Sequence, residues 1–260
     1  RRHHGPPTAL ADEHAHGANK KRDRADSGSL SGAQRLLDAG RVDEARAILA
    51  ELAEDPSTPI RAHACLLAAG VHLMCAEPAR AVETLAKLPA RPTFAVDEGY
   101  RKMIEACALR QLRRYDDALA AALQSVEQGA TTGRLLVLAD AQKHVGRVDD
   151  AARTLRTLLE REPAHATALA QLAGYENLRG DVEAGASLFA KFRALCDAGD
   201  VSNDADAHRN AAFYFVTKGD LPAAVASLRL ALTSEPDATR AYIADEVELD
   251  GFRTDAELRA

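Results

Sequence analysis

The stretch on which the fold turns is Gly146-Arg147-Val148-Asp149-Asp150-Ala151. Each residue type in it has a physical task at the junction of two helices. Glycine closes the first helix because it enters the left-handed conformation at little steric cost. The acidic pair sits on the first turn of the next helix, where the dipole favours negative charge. The final residue is small because the two helices of a hairpin cross there at close range.

Working outward, the phrase returns as Gly40-Arg-Val-Asp-Glu-Ala45, Gly180-Asp-Val-Glu-Ala-Gly185 and Gly219-Asp-Leu-Pro-Ala-Ala224. Two weaker copies are Ala76-Glu-Pro-Ala-Arg-Ala81 and Arg113-Arg-Tyr-Asp-Asp-Ala118. The final small residues are spaced by 36, 37, 33, 34 and 39 positions. A period near 34 predicts a stack of helical hairpins in which each unit buries its apolar face on its neighbours. Downstream prolines, Pro56, Pro163 and Pro236, stop second helices.

The composition agrees with packed helices. The 260 residues are rich in alanine and leucine, 28% are charged, 4% are aromatic and there is no tryptophan. The net charge is −6, but residues 1 to 30 hold six Lys/Arg against four Asp/Glu, so the remainder stands at −8 (27 minus 35). An acidic body argues against a nucleic-acid surface, which needs a basic stripe. No run of 18 apolar residues exists, so no membrane span is expected. Cys65, Cys75, Cys107 and Cys196 show neither a CxxC pattern nor histidines at metal-ligand spacing, and are read as reduced, packed thiols. The sequence starts at Arg1, which reads as a fragment or a processed product, and a cytoplasmic location is expected.

Three segments follow from this texture. Residues 1–28 mix charge, Gly and Pro without periodicity and read as a disordered tail. Residues 29–236 form the repeat array, and residues 237–260 a capping helix with an acidic ending.

The recurring phrase resembles the tetratricopeptide repeat (TPR) family, over roughly residues 29 to 236. Leu135, Leu138, Ala139, Leu155 and Pro163 in the fourth repeat, and Leu169, Leu172, Ala173 and Phe189 in the fifth, stand at the family's apolar and small positions. The family's tryptophan is absent throughout. The ending VELDGFRTDAEL is similar to the acidic close of many bacterial arrays through Leu249, Phe252, Arg253, Asp255 and Leu258. The resemblance implies an all-α, right-handed α-solenoid of about six hairpins whose inner helices line a concave groove for a peptide or helix. Carried over, the groove holds Tyr100, Met103 and Arg110 from repeat three and Asp140, Lys143 and His144 from repeat four, beside Leu136. Asn177 comes from repeat five, Arg209 and Phe213 from repeat six, and His63, Leu66 and Leu73 from repeat two. The carboxylate clamp of some members is not matched, since Leu30 and Gln34 occupy its places.

Other constellations have plainer readings. His3, His4, His14 and His16 in the tail read as solvated linker in preference to a metal site. Glu246-x-Glu248-x-Asp250-Gly251 with Glu257 has calcium-loop spacing, but Arg253 and the short remainder favour a polar cap. No phosphate loop, metalloprotease motif or nucleophile arrangement is present, so neither a cofactor nor catalysis is expected. The resulting expectation is a protein-binding scaffold, not an enzyme, that holds a protein or peptide partner of acidic character. Two rivals stand beside it: a regulatory repeat domain of a larger enzyme or transcriptional regulator, and a self-associating solenoid.

Overall fold

The computed structural model describes residues 29–55, 60–88, 97–199, 201 and 204–252. The expected tail, residues 1–28, and the final residues 253–260 lie outside these. Among the described residues the protein is all helical, with thirteen α-helices and no strand. They are α1 (Leu30–Asp38), α2 (Val42–Glu54), α3 (Arg61–Met74), α4 (Pro78–Ala86), α5 (Glu98–Gln111), α6 (Tyr115–Glu127) and α7 (Thr132–His144). There follow α8 (Val148–Arg161), α9 (Ala166–Leu178), α10 (Val182–Asp197), α11 (Ala205–Lys218), α12 (Leu221–Ser234) and α13 (Pro236–Asp245). A 3-10 turn, Val247–Phe252, closes the described chain.

All six copies of the phrase make the same turn. Gly40, Gly146, Gly180 and Gly219 have φ between 72° and 86°, and the two copies without glycine, Ala76 and Arg113, follow at 55° and 59°. In each turn the next residue's N–H reaches the carbonyl five residues back at 2.8 or 2.9 Å: Arg41 to Leu36, Glu77 to His72, Arg114 to Leu109, Arg147 to Gln142, Asp181 to Glu176 and Asp220 to Phe215. This bond satisfies a carbonyl that the helix end would otherwise orphan. Ala76 and Arg113 keep the turn at the steric cost of a Cβ in the left-handed region, about 1–2 kcal/mol each. Glycine at Ala76 removes that cost and adds about 0.5–1 kcal/mol of chain entropy loss. Ala76→Gly is therefore expected to raise the urea midpoint slightly, by up to about 1 kcal/mol in stability, and a fall would contradict the strain assigned to this turn.

The small residues that end each phrase are buried at hairpin crossings. Ala45, Ala81, Ala118, Ala151 and Ala224 have no exposed surface. At Gly185 an added Cβ would stand 2.9 Å from the Ala173 carbonyl oxygen, so even a methyl group does not fit there without a shift. Ala151 is enclosed by Leu155, Leu172 and Tyr175 in one apolar cluster. Ala151→Leu should cost about 1–3 kcal/mol by overpacking, read as a lower thermal midpoint with helicity retained.

The chain divides into two compact units, one of residues 1–71 and 87–96, the other of residues 72–86 and 97–260. In the first, Ser29 caps α1 by accepting from the Gly32 N–H at 3.1 Å, and Ala53, Ala64 and Cys65 pack with Leu30, Leu52 and Leu88. In the second, hairpins α5/α6, α7/α8, α9/α10 and α11/α12 stack in chain order, and α13 follows on α12. The first helices also touch one another, α5 with α7 and α9 with α11. Helix α9 is the most enclosed, buried from Thr167 to Glu176. Its Gly174 lets the Phe213 ring of α11 lie against bare backbone, since a Cβ there would come within 2.3 Å of the ring. No described helix is long and apolar enough to cross a membrane.

Candidate interaction site

Within the second unit, the first helices of four hairpins share one face. Cys107 and Arg110 of α5, Leu136, Val137 and Asp140 of α7, Thr167 and Gln171 of α9, and Asp206 and Asn210 of α11 line a cleft of roughly 210 Å³ together with Tyr242 of α13. A helical hairpin stack produces such a face because each first helix repeats its position one period on, so side chains 34 or so residues apart become neighbours.

Of the basic groups read onto this face Arg110 lines the cleft, while the side chains of Lys143, His144 and Arg209 are buried beside it, and all four are engaged. Arg110 Nε donates to Asp140 Oδ2 at 2.9 Å. Arg209, itself buried, donates to Asp206 at 2.5 Å, to Glu235 at 3.0 Å and to the Thr239 hydroxyl at 3.1 Å. Lys143 Nζ donates to Glu246 Oε2 at 2.5 Å and to Glu248 Oε2 at 2.9 Å, with the Phe213 ring centroid 5.0 Å away. His144 Nε2 stands 3.3 Å from Glu246 Oε1 and 3.6 Å from Asp140 Oδ1. Its ring stacks on Tyr115 at 4.9 Å with the planes 7° apart.

The acidic partners at Lys143 and His144 come from the far end of the sequence. After α13 the chain runs back across the hairpins, so that Glu246 and Glu248 reach α7 while Ile243 and Leu249 bury themselves among Ala212, Ala224 and Leu228. Arg113, at the α5–α6 turn, donates to the Ala244 carbonyl at 2.9 Å and fixes the same crossing. Sequence reading assigns residues 237–260 to a cap over the last hairpin. Among the described residues, Ile243 and Leu249 pack on that hairpin, and the two glutamates reach α7.

Burial sets the electrostatics. The Glu246 side chain is 3% exposed, and burial alone would favour its neutral form, yet His144 and Lys143 hold its carboxyl down at about 2. Burial likewise opposes the charged forms of Lys143 and His144, but Glu246, with Glu248 for the lysine and Asp140 for the histidine, raises both above their ordinary values. Burial pushes the Cys107 thiol up to about 11 and the Tyr175 and Tyr242 phenols well above their usual range, so all three stay protonated at neutral pH. Asp140, His144 and Glu246 bring three ligand-type atoms within 4.8 Å of one another. Lys143 and Arg110 stand on the other oxygens of the same two carboxylates, which makes the group an ion-pair network.

The remaining groove residues read from the sequence are placed as follows. Tyr100 and Met103 on α5 are half-buried, and Met103 Sδ would meet a Cβ at Gly133 of α7 at 3.5 Å. Asn177 donates to the Thr217 hydroxyl at 3.1 Å. Phe213 is 2% exposed, edge-on to Tyr175 with centroids 5.9 Å apart. His63 and Leu73 are half-buried and Leu66 is buried. Sequence reasoning passed over Tyr115, Gln171 and Tyr242. Tyr115 and Gln171 had a signal in their place, one at the apolar position of a turn phrase and the other one helical turn before Tyr175.

Residues 136–200 match the tetratricopeptide repeat family. No curated protein matches the sequence. Among solved structures, MamA (AMB-1) is 20% identical over 68% of this chain and 93% of its own, with a TM-score of 0.48. YrrB, described as a TPR protein with an unusual peptide-binding site, is 18% identical over 70% of this chain and 91% of its own, at 0.42. The TPR domain of P58(IPK) is 13% identical over 96% of this chain and 72% of its own, at 0.32. Residues 136–200 thus match a tetratricopeptide repeat, and the same left-handed turns recur on both sides of that stretch.

Proposed function

We propose that this protein is a non-catalytic interaction scaffold that takes an acidic peptide or helix of a partner protein against the first helices of α5/α6, α7/α8, α9/α10 and α11/α12. The observation that carries the reading is that the basic groups on this face, Arg110, Lys143 and Arg209, are each bound to carboxylates and sit in a chain whose body is otherwise acidic. The three cations are already set in carboxylate-binding geometry, so an acidic ligand binds by exchanging its carboxylates for the resident ones. The match of residues 136–200 to the tetratricopeptide repeat, a repeat that binds peptides and proteins, agrees with this role.

The titratable groups of the cleft do not assemble a reaction centre. Cys107 is held as a thiol, the phenols are held protonated, and the carboxylates are matched to lysine, arginine and histidine. A nucleophile needs an adjacent base and a charge-stabilising site, and the cleft supplies neither arrangement.

The test is a panel of labelled 15-residue peptides of net charge about −4, zero and +4, titrated against the full chain and mapped by amide chemical shifts. Binding of the acidic set, with shifts on α5, α7, α9 and α11 that weaken as salt rises, is the expected result. Shifts confined to the outer helices α6, α8, α10 and α12 would refute this placement.

A further inference from the structure

Resting on that reading, we infer that Lys143, His144 and the apolar pocket of α11 and α12 form a receptor for a Glu-x-Glu-Leu element, and that residues 246–249 are its resident occupant, which a partner bearing the same element displaces. Three separate contacts define the element. The first glutamate is shared by Lys143 at 2.5 Å and His144 at 3.3 Å. The second meets Lys143 at 2.9 Å. The leucine, with no exposed surface, fills a pocket formed by Ala212, Ala224 and Leu228. Charge alone would accept any acidic segment, whereas a fixed spacing between two carboxylates and one branched apolar side chain sets a specificity that random acidic sequences lack.

The receptor is built from parts that do not need the occupant to form. Lys143 and His144 project from the last turn of α7, where a helix end favours cations. His144 is oriented by its stack on Tyr115, and the lysine ammonium lies over the Phe213 ring. The occupant, in contrast, runs from the cap of α13 at Glu246 into a single 3-10 turn, Val247–Phe252, an element with little internal hydrogen bonding to hold it alone. A segment held mainly by contacts to a preformed surface is the part of a structure that opens first. Because an occupied receptor binds a rival only in the fraction of molecules that are open, self-occupancy lowers apparent affinity for a partner by that fraction.

The experiment uses the full chain and a labelled synthetic peptide of residues 242–252 (YIADEVELDGF) added in trans. Fluorescence anisotropy is read on the wild-type chain and on E246Q/E248Q, whose own segment has lost the carboxylates. The expected result is binding about ten-fold or more tighter to E246Q/E248Q, and loss of that binding when both glutamates of the peptide are glutamine or its leucine is alanine. A second measurement needs no variant: saturating peptide should increase hydrogen exchange at the amides of residues 246–252 of the wild-type chain, observed by mass. Equal affinity for the two chains, with unchanged exchange, would overturn displacement while leaving the scaffold reading intact. No binding to a folded E246Q/E248Q, with other acidic peptides still bound, would overturn the receptor, and failure of every acidic peptide would overturn the reading beneath it.

Discussion

Lys143→Met should lower stability by about 3 kcal/mol or more when measured on the intact chain, because it leaves Glu246 buried without its closest counter-ion. The Glu246 and Lys143 side chains are 3% and 8% exposed, so neither charge has water to fall back on while the segment stays docked. The loss has a physical ceiling. If it exceeds the free energy that docks residues 246–252, the segment lifts away and hydrates its carboxylates, and the rest of the stack keeps its fold. Urea unfolding should therefore show an earlier transition at the C-terminal end, and hydrogen exchange at 246–252 should rise before exchange in α9 does. Adding Glu246→Leu to Lys143→Met should recover much of the loss, since removing both members of a buried pair costs far less than removing one. A Lys143→Met chain as stable as wild type, with those amides still protected, would refute the network.

The same network sets a pH window. Glu246 has a folded value of about 2 against an ordinary 4.5, so its contribution is present above about 4.5 and is lost as pH falls through about 2. The difference corresponds to a stabilisation on the order of 3 kcal/mol. His144 has the opposite sign. Its folded value is raised above the ordinary 6.5, so its contribution is full below about 6.5 and is lost as pH rises through the folded value. Docking should be tightest between about pH 4.5 and 6.5, weakening in acid through Glu246 and in alkali through His144. The measurement is the difference in thermal midpoint between wild type and His144→Gln across pH 3 to 10. It should be largest near pH 5.5 and shrink at both ends, and a difference independent of pH would show that His144 carries no charge in this contact.

What could be read from the sequence follows from how local each determinant is. The turn phrase spans six residues, and every step it needs lies inside those six, so even the degraded copies at Ala76 and Arg113 reveal a left-handed turn. The buried small residues, Ala45 to Ala224, follow from the same phrase for the same reason. That Arg110, Lys143 and Arg209 lie on first helices is legible because the repeat makes distant residues equivalent, but what they bind is not. Lys143 and Glu246 are 103 residues apart, and no local pattern says that an acidic ending will turn back onto α7 rather than stop at the last hairpin. The Glu246-x-Glu248 spacing matches two carboxylates to a single ammonium group, while Glu257 of the calcium-loop spacing lies outside the described residues. The close approach of Phe213 to Gly174 was equally hidden, since only the packed helices reveal which glycine must lack a side chain.

The crossing of residues 244–248 back to α5–α7 separates the molecule's contacts into two kinds in time. Hairpins stack on neighbours a few dozen residues away, which a growing chain completes as it emerges, whereas the Arg113, Lys143 and His144 contacts close loops of more than 100 residues. During synthesis, the α5–α12 stack is finished before Glu246 and Glu248 leave the ribosome, for about 12 residues, α13 included, separate them from Ser234 at the end of α12. The nascent protein thus passes through a stage in which its receptor is assembled and vacant. A partner meeting the chain at that stage competes with nothing, while one arriving later has to wait for the segment to open.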